Sequence, residues 1–346
     1  MTRRPFLPAL CALAAFAGAA HAQPAPRAPE PAPAPAPAPA LFGAHPALPV
    51  GPVEPGLAAD LASYRLPATR FPIHLGAERR ARSFVAREAR FPSPLTERWG
   101  EVHGTYYAPA RLREGQRVPA AVVVHHLGGS FEAEQYLAQH LAQNGVAAFA
   151  ISLPNYGERR EPGTRQGFLQ EKDPVGSFAG FRQAALDVIR ASDFLRAMPE
   201  VDPERVGAVG VSLGAIVTAL ARGVDTRLGR TVLVIGGADV GRLLAESPEA
   251  KELLKKADGI VRPEDLEQAL RPVDPLTFAS RVRTDDVLML NARRDEVIPE
   301  GCTISLWEAL GRPRLRWFNC GHYGIALHLM SVMNESLDHL RGEPSN

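Results

Sequence analysis

The sequence predicts an α/β fold, a mostly parallel sheet with helices on both faces, and three observations carry that expectation. Apolar strand-like runs alternate with helix-period patterns from residue 119 to residue 340, as consecutive βα units do. The run 119–124, Pro-Ala-Ala-Val-Val-Val, is apolar without alternation, as in a strand covered on both sides. Between the strand pattern at 206–211 and the helix pattern at 213–221 stands Gly210-Val-Ser-Leu-Gly214, a sharp turn flanked by glycines.

Residues 1–22 have the layout of an export signal: Arg3 and Arg4, an apolar stretch from 6 to 20, then Ala20-His21-Ala22 as a small-x-small cleavage site. The stretch is too short for a permanent membrane span. Thr2-Arg-Arg-Pro-Phe-Leu7 also fits a twin-arginine signal, with a general secretory signal as the alternative. Cys11 follows Leu10 and lacks the small preceding residue of a lipid-anchor site. Residues 23–60 are rich in Pro and Ala and strictly alternate from 31 to 40, a composition that cannot bury a core and favours an extended linker. The expected globular domain is 61–346, enough for one large core and too little for a second catalytic domain. Lys and Arg number 39 against 38 Asp and Glu, a net charge of +1, so nothing steers the chain toward nucleic acid or an acidic membrane.

Strands are expected at 83–91 and 101–108, where Val102, Tyr106 and Tyr107 suit a half-buried sheet, and then at 119–124. Alternating elements follow: helix 131–144, strand 146–153, helix 180–198, strand 206–211, helix 213–221 and strand 231–235. After an interruption come strand 287–291, helix 302–310, strand 314–318 and helix 325–340.

The turn at 210–214 places Ser212 where its oxygen projects above a sheet, at the cost of backbone strain. It also aims the first helical amides at a reacting carbonyl, which makes the Leu213 N–H an oxyanion donor. After strand 119–124 the loop His125-His126-Leu127-Gly128-Gly129-Ser130 leads into a helix, and Leu127 is the candidate for the second donor. Adjacent histidines also suit a metal, but no Cys or carboxylate within the loop completes a site. His125 is expected to brace the loop.

Downstream, strand 287–291 ends in Ala-Arg-Arg-Asp-Glu-Val-Ile-Pro299. Asp295, just past the strand, is placed to orient a histidine, with Glu296 and Asp239 as rivals. His322, in Gly321-His-Tyr-Gly324 between the last strand and the last helix, is the expected general base, since His328 and His339 lie within a helical pattern.

Taken in order, His-x-x-Gly-Gly, Gly-Val-Ser-Leu-Gly, Arg-Arg-Asp-Glu-Val-Ile-Pro and Gly-His-Tyr-Gly resemble the α/β-hydrolase superfamily, more loosely its dienelactone hydrolase and acetyl xylan esterase-like branches, over residues 95–340. His126 departs from the usual His-Gly start of the oxyanion loop. The resemblance also implies that the interruption at 239–275 is a small helical lid, with ordinary surface helices as the alternative. Arg159 or Arg160, after strand 146–153, would hold a substrate carboxylate or form an internal salt bridge. Cys302 and Cys320 remain once the signal is removed, and loops at the same end of adjacent strands predict a disulfide between them.

These readings converge on an exported, periplasmic or secreted serine hydrolase of carboxylic esters, working through Ser212, His322 and Asp295 and an acyl-enzyme, with no metal or organic cofactor. A peptidase or amidase on the same fold and a catalytically silent binding protein stand as alternatives. The expected partner is a small-molecule or polysaccharide-linked ester, not nucleic acid, and the sequence sets no oligomeric state.

Overall fold

In a computed structural model of the protein, the described residues are 41–343 apart from 96, 129–130, 170–173, 249–250 and 252–269. The chain divides into two units, Met1–Pro39 and Ala40–Asn346. The export-signal expectation falls outside the described residues, as does most of the lid expectation.

Every residue of β6 (Val118–Val124) is buried, as its unbroken apolar run requires. It lies between β7 (Ala147–Ile151) and β8 (Val201–Val211), parallel to both. Beyond β8 the sheet continues in parallel through β9 (Thr231–Val234), β10 (Val287–Ala292) and β11 (Arg314–Phe318). On the other side of β7 the pairing turns antiparallel, through β5 (Glu101–Pro109), β4 (Phe84–Pro92), β2 (Thr69–Leu75) and β1 (Leu41–His45), with β3 (Arg79–Arg80) beside β4. Since β6 stands between β7 and β8, the parallel strands leave it in opposite directions, a switch point of the kind where α/β folds place their sites.

The helices sort to the two faces through the alternation of the strands. Val122 and Val124 of β6 join the core under α3 (Pro174–Ala197) and α4 (Leu213–Val224), whereas Ala121 and Val123 join the core under α2 (Glu132–Gln143) and the C-terminal helix Leu329–Arg341. All twelve residues of α4 are buried, which accounts for an apolar pattern that runs all round the helix. The last helix begins later than expected: residues 323–328 form a tight 3₁₀ turn, and the α-helix starts at Leu329. Among the described residues no helix is long and apolar enough to cross a membrane.

Two expectations are corrected. The folded part begins at Leu41, inside the segment expected to be linker up to residue 60: β1 pairs with β2, and the buried His45 ring meets Asp193 Oδ2 of α3 at 2.6 Å. A Pro/Ala-rich composition concealed a five-residue edge strand. The expected disulfide is also absent, as Cys302 and Cys320 are both free and buried. Cys302 packs with Ile298 and Val240 in the core on the α4 side, and Cys320 packs with Phe318, Val332 and Met333 on the α2 side. The two thiols lie on opposite faces of the sheet, and burial raises both pKa values, that of Cys302 to about 12.

Candidate active site

Ser212 stands between β8 and α4 with φ 54° and ψ −115°, a conformation that a non-glycine residue adopts only under strain. The turn closes so tightly that a Cβ at Gly210 would lie 2.2 Å from the Gly214 carbonyl oxygen, and one at Gly214 would lie 2.3 Å from the Val124 carbonyl oxygen. The spacing Gly-x-Ser-x-Gly is therefore steric: both glycines let α4 start against β8 and the end of β6.

The Ser212 Oγ is 3.0 Å from His322 Nε2, and His322 Nδ1 is 2.8 Å from Asp295 Oδ2. The Asp295 carboxylate also accepts the amide hydrogens of Val297 at 2.9 Å and Ile298 at 2.7 Å, which fixes it as an acceptor. The Nδ1 of His322 thus carries the proton, leaving Nε2 to accept from the serine hydroxyl. Both Ser212 and His322 are nearly buried, so little water competes for these bonds.

The rival acids take other work. Glu296 Oε2 accepts the backbone N–H of His322 at 2.9 Å and so seats the histidine loop, not the ring. Asp239 caps the helix Val240–Glu246 by accepting the Arg242 N–H. The loop of Asp295 is tied to that of His322 by the N–H groups of Arg293 and Arg294, which donate to the carbonyls of Phe318 and Cys320.

Leu213 opens α4, so its N–H is one of the first-turn amides that no carbonyl within the helix reaches. Leu127 follows β6 and is more than half exposed, and Gly129 and Ser130 lie outside the described residues. The paired histidines serve different partners. His125 is buried; its Nε2 accepts the Leu153 N–H at 3.0 Å, so its Nδ1 donates to the His126 carbonyl at 2.7 Å, and burial lowers its pKa to about 4. The ring also stacks on Phe131. His126 instead bonds Glu134. Arg159 turns inward to Asp187 at 2.7 Å and to the carbonyls of Trp99 and Ser152, the internal salt bridge of the two readings, and Arg160 bonds the Thr164 carbonyl.

Sequence reasoning missed Glu134 and Asn155. Asn155, fully buried at φ 62°, holds loop 155–167 by donating to the carbonyls of Arg165 and Gly167 and accepting the Glu161 N–H. A lone Asn before an aromatic residue carries no sequence signal of that role.

With this geometry in place, comparison with known proteins bears on the family. The family model described as "Alpha/beta hydrolase family" matches residues 102–329, a stretch that holds the elbow, the acid and the histidine. The chain belongs to the alpha/beta hydrolase family. A relative, the uncharacterized protein YdjC of Bacillus subtilis (strain 168), is 37% identical over 68 residues, 20% of this chain and 59% of that protein, so the match spans less than two thirds of it. Among solved structures the hydrolase fold is shared with an acetyl xylan esterase from Paenibacillus sp. R4, at TM-score 0.62 and 22% identity over 78% of this chain and 88% of that one. An acylaminoacyl peptidase from Pyrococcus horikoshii is similar at TM-score 0.56 and 19% identity over 78% of this chain and 44% of that one.

Proposed function

We propose that this hydrolase cleaves carboxylic esters, with Ser212 as nucleophile, His322 as general base and acid, and Asp295 as the group that orients His322 and stabilises its imidazolium. The observation that carries the reading is the unbroken relay from the Ser212 hydroxyl through both ring nitrogens of His322 to an Asp295 carboxylate locked by two amides. Ser212 Oγ attacks the ester carbonyl as His322 Nε2 takes its proton. The N–H groups of Leu127 and Leu213 receive the oxyanion, and the same proton passes to the departing alcohol. Water then enters by the same route and releases the acid from the acyl-enzyme.

The acetyl xylan esterase likeness favours a small acyl group on a small-molecule or polysaccharide-linked alcohol as the substrate class. The peptidase likeness keeps amides as the second reading. The layout of residues 1–22 supports export to the periplasm or the medium as part of this reading.

The test is hydrolysis of p-nitrophenyl acetate, butyrate and octanoate, beside a p-nitroanilide, by the wild type and Ser212→Ala. The reading expects ester turnover that falls roughly 10⁶-fold in kcat in the variant, against little activity on the anilide. Equal rates in two folded proteins would remove the serine-esterase reading.

A further inference from the structure

Position 126 opens the oxyanion loop with a histidine, and the structure gives that side chain a defined place. His126 Nδ1 lies 2.6 Å from Glu134 Oε1, and the same oxygen accepts the backbone N–H of His126 at 3.1 Å. Glu134 projects from the first turn of α2 and is 2% exposed, with its second oxygen, Oε2, buried and without a partner among the described residues. Across the loop, a Cβ at Gly128 would lie 2.8 Å from His126 Nε2, so the ring covers Gly128. The Gly128 carbonyl in turn accepts from Gln166 Nε2 at 3.0 Å.

These contacts bracket Leu127. The peptide joining 126 to 127 is planar, with its C=O and N–H on opposite sides. His125 Nδ1 holds the C=O end at 2.7 Å, which fixes the direction of the Leu127 N–H. Glu134 holds residue 126 by backbone and ring, and this fixes where the N–H stands.

We propose that Glu134 and His126 are positioning residues for the oxyanion donor of Leu127, a carboxylate–imidazole clamp that stabilises the tetrahedral intermediate through the loop. The inference rests on the serine-hydrolase reading above. Among the described residues one oxygen of this buried carboxylate has no partner and the other serves only residue 126, a costly arrangement for a side chain that merely packs a loop. The titratable and charged groups beside the pair are His125, a neutral imidazole next to Glu134, and Arg159, next to His125. Burial disfavours charge on both members, yet their hydrogen bond and mutual attraction prevail: the His126 pKa is raised and that of Glu134 lowered. The pair is thus charged on the acid side of the raised His126 pKa. The clamp weakens as pH rises through that pKa, and again in acid as Glu134 takes a proton.

The experiment compares wild type, Glu134→Gln and His126→Gln in the full chain by p-nitrophenyl acetate kinetics across pH, by affinity for phenylboronic acid, whose tetrahedral adduct mimics the intermediate, and by thermal melting. A positioning role predicts a roughly tenfold lower kcat in Glu134→Gln with KM within about twofold, and an equal loss of boronate affinity. His126→Gln, whose amide still donates to Glu134, should recover part of kcat and lose the alkaline limb assigned to His126. A lower melting temperature with unchanged kcat and boronate affinity in both variants would overturn the proposal. Should Glu134→Gln fail to fold, the pH profile and boronate affinity of His126→Gln decide alone. A wild type inert to both esters and boronate would overturn the hydrolase reading, and the inference with it, whereas an active wild type with indifferent variants overturns the inference only.

Discussion

Ser212 and His125 illustrate two ways in which a single residue is held in this hydrolase, one in a strained turn and one by burial. The strain at Ser212 goes with the close packing of α4 against β8 and the end of β6, which Gly210 and Gly214 permit by lacking a Cβ. His125 spends its two ring nitrogens on the Leu153 amide and the His126 carbonyl, which requires a neutral imidazole. Burial lowers its pKa from 6.5 to about 4, so between these values the unfolded chain binds a proton that the folded chain does not. Its contribution to stability is therefore complete above pH 6.5 and is lost as pH falls toward 4, a loss of up to about 3 kcal/mol. His140 and His339, also lowered by burial, add with the same sign. Urea denaturation at pH 7 and pH 4.5 checks this: the wild-type midpoint should fall in acid, and His125→Asn should be weaker at pH 7 with a shallower pH dependence. Parallel curves for the two proteins would exclude the assignment.

Among the elements, β1 is the one whose importance exceeds its length. Its His45 meets Asp193 of α3, which also binds Arg227 Nη1 at 2.8 Å, so a five-residue strand anchors a buried charge network far along the chain. Removing His45 leaves part of that carboxylate unpaired in the interior, and His45→Ala is expected to cost about 3 kcal/mol. Thermal melts should place a chain starting at residue 61 well below one starting at residue 41. Equal melting temperatures would mean that β1 contributes nothing to the fold. The parallel strands and their helices were legible in the sequence because each buries a face with its own period. β1 was not legible, since its partners lie in β2 and α3 and its five residues, Leu-Phe-Gly-Ala-His, follow directly on the Pro/Ala run. The same limit hid Glu134, an acidic residue in a helix's first turn that reads as an ordinary solvated position until β6 places a loop over it. The disulfide expectation failed for a related reason: sequence placed Cys302 and Cys320 at the same end of the sheet, but the face each thiol occupies depends on how its loop turns back into the next element.

At the scale of the whole molecule, four loops from separate stretches of the chain meet at the carboxyl ends of β6, β8, β10 and β11. Ser212, Asp295 and His322 were legible as candidates because each sits at a strand end within a glycine- or proline-marked turn; acyl transfer calls for these residue types, and their order in the chain is a property of the fold. The support around them comes from residues whose only signal is three-dimensional. The proposed chemistry of this assembly depends on Ser212 being its activated nucleophile. A fluorophosphonate, which reacts with a serine activated by its histidine, followed by peptide mapping, asks this most directly. The prediction is a single adduct on Ser212, absent from Ser212→Ala and strongly slowed in His322→Ala. An adduct on another serine, or none on a folded wild type, would contradict it.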